Sequence, residues 1–519
     1  MPPFIELPRW FIEVGFVAYA VAVVVVVVLE RRRPTATLAL ILSMIFVPVA
    51  GLLVYLLFSR RRVRRRQRNR QRRAIDPLEG TRNLAVLDGL PAGLPERQRG
   101  LVRLALETAA APLRRADRVT LLPSATEAYD ALLEAIRGAE RCVHLEFYIW
   151  KDDHVGRQVT ALLTQRAAEG VDVRVLYDHV GSLGLATEHF TKLRQAGGHV
   201  AIYGRLRMPF RLRPSRVNFR NHRKLVTIDN RIGFVGGSNI ATEYFGEHGE
   251  GGWRDLMVRV EGDAVIGLEA TFLEDWLAST GDVVDLAGKK PTKAEGVDGR
   301  KPARKRAWDA NHPGEQALRD ANPFAPMPEG PIASDGPLVQ MIPSGPDLQI
   351  AASIQAQFTA TVAAAQTRAW IATPYFIPDE PLMLILRTAA LRGVDVRILV
   401  PTAEHNDQHL VALASRSYFD ELLEVGCRIF EYLPGMLHAK YLIADEVAAI
   451  GSANMDVRSF FLNYEITAMF YDEPITDSLA AIFEEDLEQA REVTARDRLT
   501  TSLPSRFYES FARVLSPLL

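Results

Sequence analysis

The sequence predicts an α/β protein of two pseudo-symmetric halves, preceded by two N-terminal transmembrane helices. Three observations lead to it. Two long apolar runs stand near the N-terminus. An internal repeat recurs at offsets of 220 to 229 residues. Short Val/Ile/Leu-rich runs alternate with helical patterns along the remainder. These patterns divide the 519 residues into a membrane segment (1–73), a first half (74–284), a linker or insertion (285–336) and a second half (337–519).

The first apolar run, Trp10 to Leu29, carries one charge, Glu13, near its start. After Arg31, Arg32 and Arg33, the second run, Thr35 to Phe58, has none. Both reach the roughly 20 apolar residues that a spanning helix needs, and Pro48 and Gly51 are tolerated within a bilayer. A cleaved signal peptide fits the first run less well. Its start is only weakly basic, and the cleavage-like Ala18-Tyr19-Ala20 lies mid-run. Ten arginines fall between Arg60 and Arg73 against three in the short loop. The positive-inside rule therefore puts both termini and the soluble part in the cytoplasm, at the inner membrane. The arginine belt can also attract anionic headgroups.

The net charge of −1 averages two unlike parts. Residues 1–73 hold fourteen Arg and three Glu, leaving 48 basic and 60 acidic residues, a net −12, for the remainder. A general nucleic-acid binder would carry a positive field there instead. The two cysteines, Cys142 and Cys427, fall in core-like segments far apart, which implies buried free thiols rather than a disulfide framework or metal site.

The repeat is explicit. Leu122-Pro123-Ser124 is answered by Ile342-Pro343-Ser344, His144–Ile149 (HLEFYI) by Ile371–Phe376 (IATPYF), and Gly170–Leu176 (GVDVRVL) by Gly393–Leu399 (GVDVRIL). Gly197–Tyr203 returns loosely as Gly426–Tyr432. Sheets covered on both faces fit the near-continuous apolar strands. Duplication implies a pseudo-twofold axis, with equivalent loops meeting at one cleft. The stretch between the halves, rich in Lys, Pro and Gly, lacks periodicity.

At equivalent places each half carries His-x-Lys-x4-Asp followed by a small-residue turn ending in Asn. One copy is His222, Lys224, Asp229 and Gly236-Gly237-Ser238-Asn239; the other is His438, Lys440, Asp445 and Gly451-Ser452-Ala453-Asn454. In an extended strand residues i and i+2 share a face, so each His projects with its Lys. Each Asp closes a turn into a second strand, Ile232–Val235 or Val447–Ile450, which brings the Asn-ended turn back to the same end. Such a cluster suits a phosphodiester. Lys224 and Lys440 neutralise phosphoryl oxygens, and Asn239, Ser452 and Asn454 donate to them. One imidazole attacks phosphorus while the other moves protons. No metal or other cofactor is required, since the lysines bring the charge.

With these residues the chain resembles the bacterial cardiolipin synthases of the phospholipase D superfamily over nearly its whole length. The resemblance rests on Arg33–Ala39 with Val47–Gly51, Glu146–Ile149, Asn221–Lys224, Trp253-Arg254-Asp255, Thr373–Pro378, His438-Ala439-Lys440, Gly451–Ser459 and Asn463-Tyr464-Glu465. It implies phosphatidyl transfer between two phosphatidylglycerol molecules, giving cardiolipin and glycerol through a phosphatidyl-histidine intermediate. It also implies that Asp255 orients His222 and Glu465 orients His438, that Asp229 and Asp445 hold local loops, and that His222 is the nucleophile. Pseudo-symmetry alone leaves the two histidines exchangeable. The expected partners are the membrane and its phospholipid, and no nucleic acid; the sequence carries no sign of oligomeric state.

Other readings are a hydrolytic phospholipase D, a phosphatidyltransferase with another acceptor alcohol, a nuclease of the same superfamily, and a scaffold with a dead catalytic fold. The membrane runs and the −12 remainder speak against the nuclease, and two intact motif copies against the scaffold. Gly237 stands opposite Ser452, so the first copy lacks the second's hydroxyl.

Overall fold

The computed structural model describes residues 9–28, 34–47, 94–205, 218–245, 253–282, 284, 336–346 and 352–516. Contacts divide the chain into two units: Met1–Arg72 with Leu206–Phe219, and Arg73–Arg205 with Arg220–Leu519.

In the first unit the apolar runs form helices α1 (Arg9–Val28) and α2 (Pro34–Phe46). They pack through Val23, Val27, Leu40 and Met44, and the Tyr19 hydroxyl donates to the Met44 carbonyl at 2.8 Å. Among the described residues no helix is long and apolar enough to cross a membrane. The second run is helical over Pro34–Phe46, about 20 Å of a hydrocarbon layer of about 30 Å. Residues 48–58 and the arginine belt lie outside the described residues, as does the insertion up to residue 335.

The second unit holds both halves. The first half supplies β1 (Arg118–Leu122), α4 (Ala125–Arg137), β2 (Cys142–Phe147), α5 (His154–Ala168), β3 (Asp172–Asp178), β4 (His199–Tyr203), β5 (Leu225–Ile228), β6 (Ile232–Gly236), β7 (Met257–Glu261) and α6 (Val265–Thr280), after a lead-in helix α3 (Glu96–Ala109). The second half supplies β8 (Leu338–Ser344), α7 (Ser353–Ala364), β9 (Arg368–Ala372), α8 (Glu380–Leu391), β10 (Asp395–Pro401), α9 (His409–Arg416), α10 (Phe419–Leu423), β11 (Arg428–Tyr432), β12 (Tyr441–Ala444), β13 (Val447–Gly451), β14 (Glu465–Phe470), α11 (Glu473–Glu488), β15 (Ala490–Val493) and a terminal helix α12 (Leu503–Leu515).

The strand orders are the same in both halves: β1-β7-β6-β5-β2-β3-β4 and β8-β14-β13-β12-β9-β10-β11. The second sheet adds Arg114–Arg115 at one edge and β15 at the other. In each sheet three strands run parallel and the rest antiparallel. The duplication read from sequence is thus a duplication of topology.

Both faces of each sheet are covered, as the continuous apolar strands imply. All six residues of β2 are buried. Val143, Leu145 and Phe147 face α4 and α5 in one core, while Ile371, Ile398 and Leu442 of the second sheet face α7 and α8 in another. A third core is shared by the halves. There Leu225, Val235 and Val258 meet Trp370, Tyr441 and Ile450, with Phe272 of α6 and Phe483 of α11 between. Burying one such side chain stabilises by roughly 1.5–3 kcal/mol, so the shared core holds the halves as one body. Both cysteines are buried free thiols, pushed up to about 12 by burial.

Candidate active site

Each motif places its histidine just before the first strand of a tight antiparallel hairpin, β5–β6 or β12–β13. The turns need left-handed backbone, and the motif aspartates adopt it: φ is +54° at Asp229 and +50° at Asp445. Short polar side chains tolerate this region better than most. Asp229 accepts from the backbone N–H of Glu140, Arg141 and Cys142 at 2.7–2.9 Å. Asp445 does the same for Gln366, Thr367 and Arg368, and also accepts from the Thr367 hydroxyl at 2.6 Å. These carboxylates tie the hairpins to the starts of β2 and β9, at the far end of the strands from the histidines. Both carboxylates are thus engaged by backbone N–H groups of the adjoining loops.

The halves interlock at the histidines. The His222 N–H donates to the Tyr464 carbonyl at 2.9 Å, and the Tyr464 N–H to that of Arg220 at 2.8 Å. In the mirror arrangement the His438 N–H donates to the Arg254 carbonyl at 2.7 Å, and the Arg254 N–H to that of Met436 at 2.8 Å. Each histidine segment therefore runs beside the carboxylate-bearing segment of the other half.

This crossing corrects the pairing expected from resemblance. His222 Nδ1 meets Glu465 at 2.9 and 3.0 Å, and His438 Nδ1 meets Asp255 at 2.7 Å. The carboxylates are the expected two, with their partners exchanged. Each carboxylate, Asp255 just before β7 and Glu465 at the start of β14, points to the histidine of the other half, which sequence spacing within one half cannot reveal.

The small-residue turns explain the difference between copies. Gly237 lies beside Asp255, where a Cβ would fall 2.2 Å from Oδ1. At the matching place Ser452 donates its hydroxyl to Glu465 Oε2 at 2.6 Å. Asn463 adds a donor to Oε1 at 3.3 Å. Ser452 therefore serves the orienting carboxylate instead of facing a phosphoryl oxygen. Asn239 accepts from the Ile149 N–H at 3.0 Å and bonds the Tyr244 side chain. Asn454 bonds Asp456, while its buried Oδ1 has no partner. All three expected donors to substrate are engaged within the protein.

Lys224 and Lys440 are buried, and each donates to the carbonyl of its own histidine, Lys224 at 2.8 Å. Lys440 Nζ also stands 2.8 Å from His438 Nδ1. The two copies sense each other electrostatically: Lys440 acts on His222 and Lys224 on His438. Burial, aided by the lysines and opposed by the carboxylates, lowers His222 to about 4 and His438 to about 3. Lys440 falls to about 8 through burial, and Lys224 moves well below its usual range for the same reason. The burial that would raise Asp255 and Glu465 is outweighed by the imidazoles and lysines beside them, and both are held below the usual carboxylate range.

Aromatic rings wall the site. Tyr148 meets His222 edge-on at 4.9 Å, and Tyr244 and Trp253 lie 5.2 and 5.0 Å from His438. Behind His222, Asn221 binds Glu146, and Arg223 pairs with Asp275, all buried. Sequence reasoning assigned these residues no role, although Tyr148 and Tyr375 occupy matching places in the repeat. Among the described residues no group of three His, Cys, Asp or Glu side chains is arranged to hold a metal ion.

The family model "Cardiolipin synthase, PLD-like domain" matches residues 132–276 and 358–487, one segment in each half. The chain belongs to this family. The "Phospholipase_D-nuclease N-terminal" model matches residues 17–60. A cardiolipin synthase of Geobacillus sp. is 37% identical over 91% of this chain and 86% of its own length. One from Halalkalibacterium halodurans is 36% identical over 93% and 89%. Among solved structures, a phosphatidylserine synthase of Haemophilus influenzae covers 82% of this chain and 100% of its own, with TM-score 0.57 and 16% identity, a likeness of fold. The family's two-segment match coincides with the two halves whose histidines and carboxylates cross.

Proposed function

We propose that the protein is a cardiolipin synthase, transferring a phosphatidyl group from one phosphatidylglycerol to another. The observation that carries this reading is the crossed pair of imidazole–carboxylate couples. With Nδ1 of each ring held by a carboxylate, Nε2 of each is left for substrate. In the first step His222 Nε2 bonds phosphorus, the P–O bond to the first glycerol breaks, and His438 gives that oxygen a proton. In the second, His438 takes a proton from the hydroxyl of a second phosphatidylglycerol, whose oxygen bonds phosphorus as the N–P bond breaks. An anionic phosphodiester beside the rings raises their lowered proton affinity, so one can carry the proton that the first step needs. The assignment of the nucleophile to His222 is supported by its greater exposure, 12% of the side chain against 5% for His438.

Burial of both lysines and of His438 favours transfer over hydrolysis, because little space is left for bulk water. The reading includes a two-helix membrane anchor with the catalytic part on the cytoplasmic side of the inner membrane, supported by the apolar runs and the arginine belt. It holds the site where lipid acceptors are concentrated. The test is purified full-length protein in vesicles of phosphatidylglycerol alone, with products read by mass spectrometry. Cardiolipin and glycerol are expected; phosphatidic acid as sole product would sink the proposal.

A further inference from the structure

Each imidazole–carboxylate couple has a guanidinium behind it. Arg223 stands between His222 and Lys224 in the motif, so the alternation of an extended chain turns its side chain away from the catalytic pair. That side chain is buried and pairs with Asp275 of α6. Its Nε donates to the Glu465 carbonyl at 3.1 Å, and its Nη2 to the Ser344 carbonyl at 3.2 Å. Those two residues face each other at the end of the β8–β14 ladder. The same guanidinium lies over the Tyr464 ring at 5.5 Å, and the Tyr464 carbonyl accepts from the His222 N–H. Arg223 thus grips the backbone of the residue whose carboxylate holds His222.

Behind His438 the guanidinium is that of Arg254. Its Nε donates to Asp486 of α11 at 2.7 Å, and its Nη1 to the Asp255 carbonyl at 3.2 Å and to the Pro123 carbonyl. Asp275 and Asp486 end matching segments of the repeat, residues 272–275 (FLED) and 483–486 (FEED). The arginines have no such match. At the place of Arg223 the second copy has Ala439, and at the place of Arg254 it has Tyr464. Equivalent surroundings are therefore filled by one guanidinium each, drawn from different positions in the chain. In both, the carboxylate and the carbonyls come from opposite halves, so each arginine spans the seam between them.

We propose that Arg223 and Arg254 are positioning residues, each acting through a backbone carbonyl to aim the carboxylate that holds one catalytic imidazole. Hydrogen bonds from a charged donor are stronger than neutral ones, and a guanidinium anchored by a buried carboxylate offers them from a rigid fork. The Glu465 and Asp255 side chains start from the backbone so held. A shift there moves Nδ1 of the ring and misdirects Nε2. Misplacing a reacting group by about 1 Å costs on the order of a hundredfold in rate. The inference rests on the two-histidine transfer proposed above.

The test separates the two couples by their chemistry. In the first step on phosphatidylglycerol, His222 attacks and His438 gives the leaving oxygen its proton. Phosphatidyl-p-nitrophenol instead loses p-nitrophenolate, which needs no proton. Arg223→Lys and Arg254→Lys keep the positive charge and lose the fork. Single-turnover release of glycerol or p-nitrophenolate is measured with the full chain in vesicles and expressed per folded molecule. Arg254→Lys should lose roughly tenfold to a hundredfold on phosphatidylglycerol and several-fold less on the ester, whereas Arg223→Lys should lose about equally on both. The pattern exchanged between the variants upholds the positioning role and makes His438 the nucleophile. Where a Lys variant does not fold, Arg223→Met/Asp275→Leu or Arg254→Met/Asp486→Leu removes both charges together and is read in the same way. A lowered Tm with release per folded molecule within about twofold overturns the proposal, as do equal losses on both substrates in both variants. If the unmodified protein releases p-nitrophenolate and no glycerol, the proposed function fails, while the loss in Arg223→Lys on the ester still decides this proposal.

Discussion

The Glu465 carboxylate of the second half holds Nδ1 of His222 in the first, 2.9 Å away and 243 residues apart in the chain. Asp255 repays the relationship to His438. Neither half therefore contains a complete imidazole–carboxylate couple, and both couples form only when the halves close on each other.

Replacing Glu465 by Gln should keep the fold and lower kcat by two to four orders of magnitude, on the scale of losing a carboxylate that orients a catalytic imidazole. Steady-state turnover on phosphatidylglycerol vesicles checks this. A loss below about tenfold would remove Glu465 from the mechanism.

The copy-specific turns make a pair of predictions. Gly237→Ala places a Cβ where the Asp255 carboxylate sits, so it should displace the partner of His438 and cost about 1–3 kcal/mol of stability together with most activity. Ser452→Ala removes only a donor to Glu465 and should cost roughly tenfold in kcat. Thermal unfolding and turnover, measured together, separate the two.

Asp445→Asn should act on stability rather than chemistry. Its carboxylate accepts several backbone N–H bonds at the start of β9, so losing the charge should destabilise by about 1–3 kcal/mol. Turnover per folded molecule should stay within about tenfold. His438→Ala should do the reverse, abolishing turnover while Tm holds. An Asp445→Asn enzyme with normal Tm and no activity would return Asp445 to the catalytic set.

The histidines also set a stability profile. Their folded values, about 4 and about 3, lie below the ordinary 6.5. From pH 6.5 downward the unfolded chain thus binds more protons than the folded protein, and stability is lost as pH falls through that range. The lowered Asp255 and Glu465 act in the same direction at lower pH. Above pH 7 these groups contribute no further slope. Tm measured from pH 8 to 4 should fall below 6.5, and less steeply in His222→Gln.

Activity should decline on the alkaline side as well. Lys440 is charged below about 8 and loses its proton above it, taking positive charge from the phosphoryl site. The kcat/KM profile should turn down near pH 8, and Lys440→Arg should move that limb upward, at some cost in rate because the guanidinium differs in shape. An unchanged limb in that variant would assign it to another group.

Much of this was legible in the chain itself. The repeat, the His-x-Lys strands and the aspartate turns follow from local spacing, because a strand's period of two and a hairpin's turn chemistry are short-range properties; the two orienting carboxylates come from the family resemblance alone. The apolar runs likewise declare themselves by composition. What local spacing could not determine is which carboxylate serves which imidazole. That depends on the closure of one half against the other, through the His222–Tyr464 and His438–Arg254 backbone bonds. The same closure set Tyr244 and Trp253 of the first half against the His438 ring of the second, while tertiary packing within each half set Ser452 on Glu465 and Gly237 beside Asp255. The terminal helix makes the same point at the surface. Its amphipathic period is plain in Leu503, Phe507, Phe511 and Val514, but only the tertiary ion pairs of Glu509 with Arg498 and Arg416 turn that stripe outward.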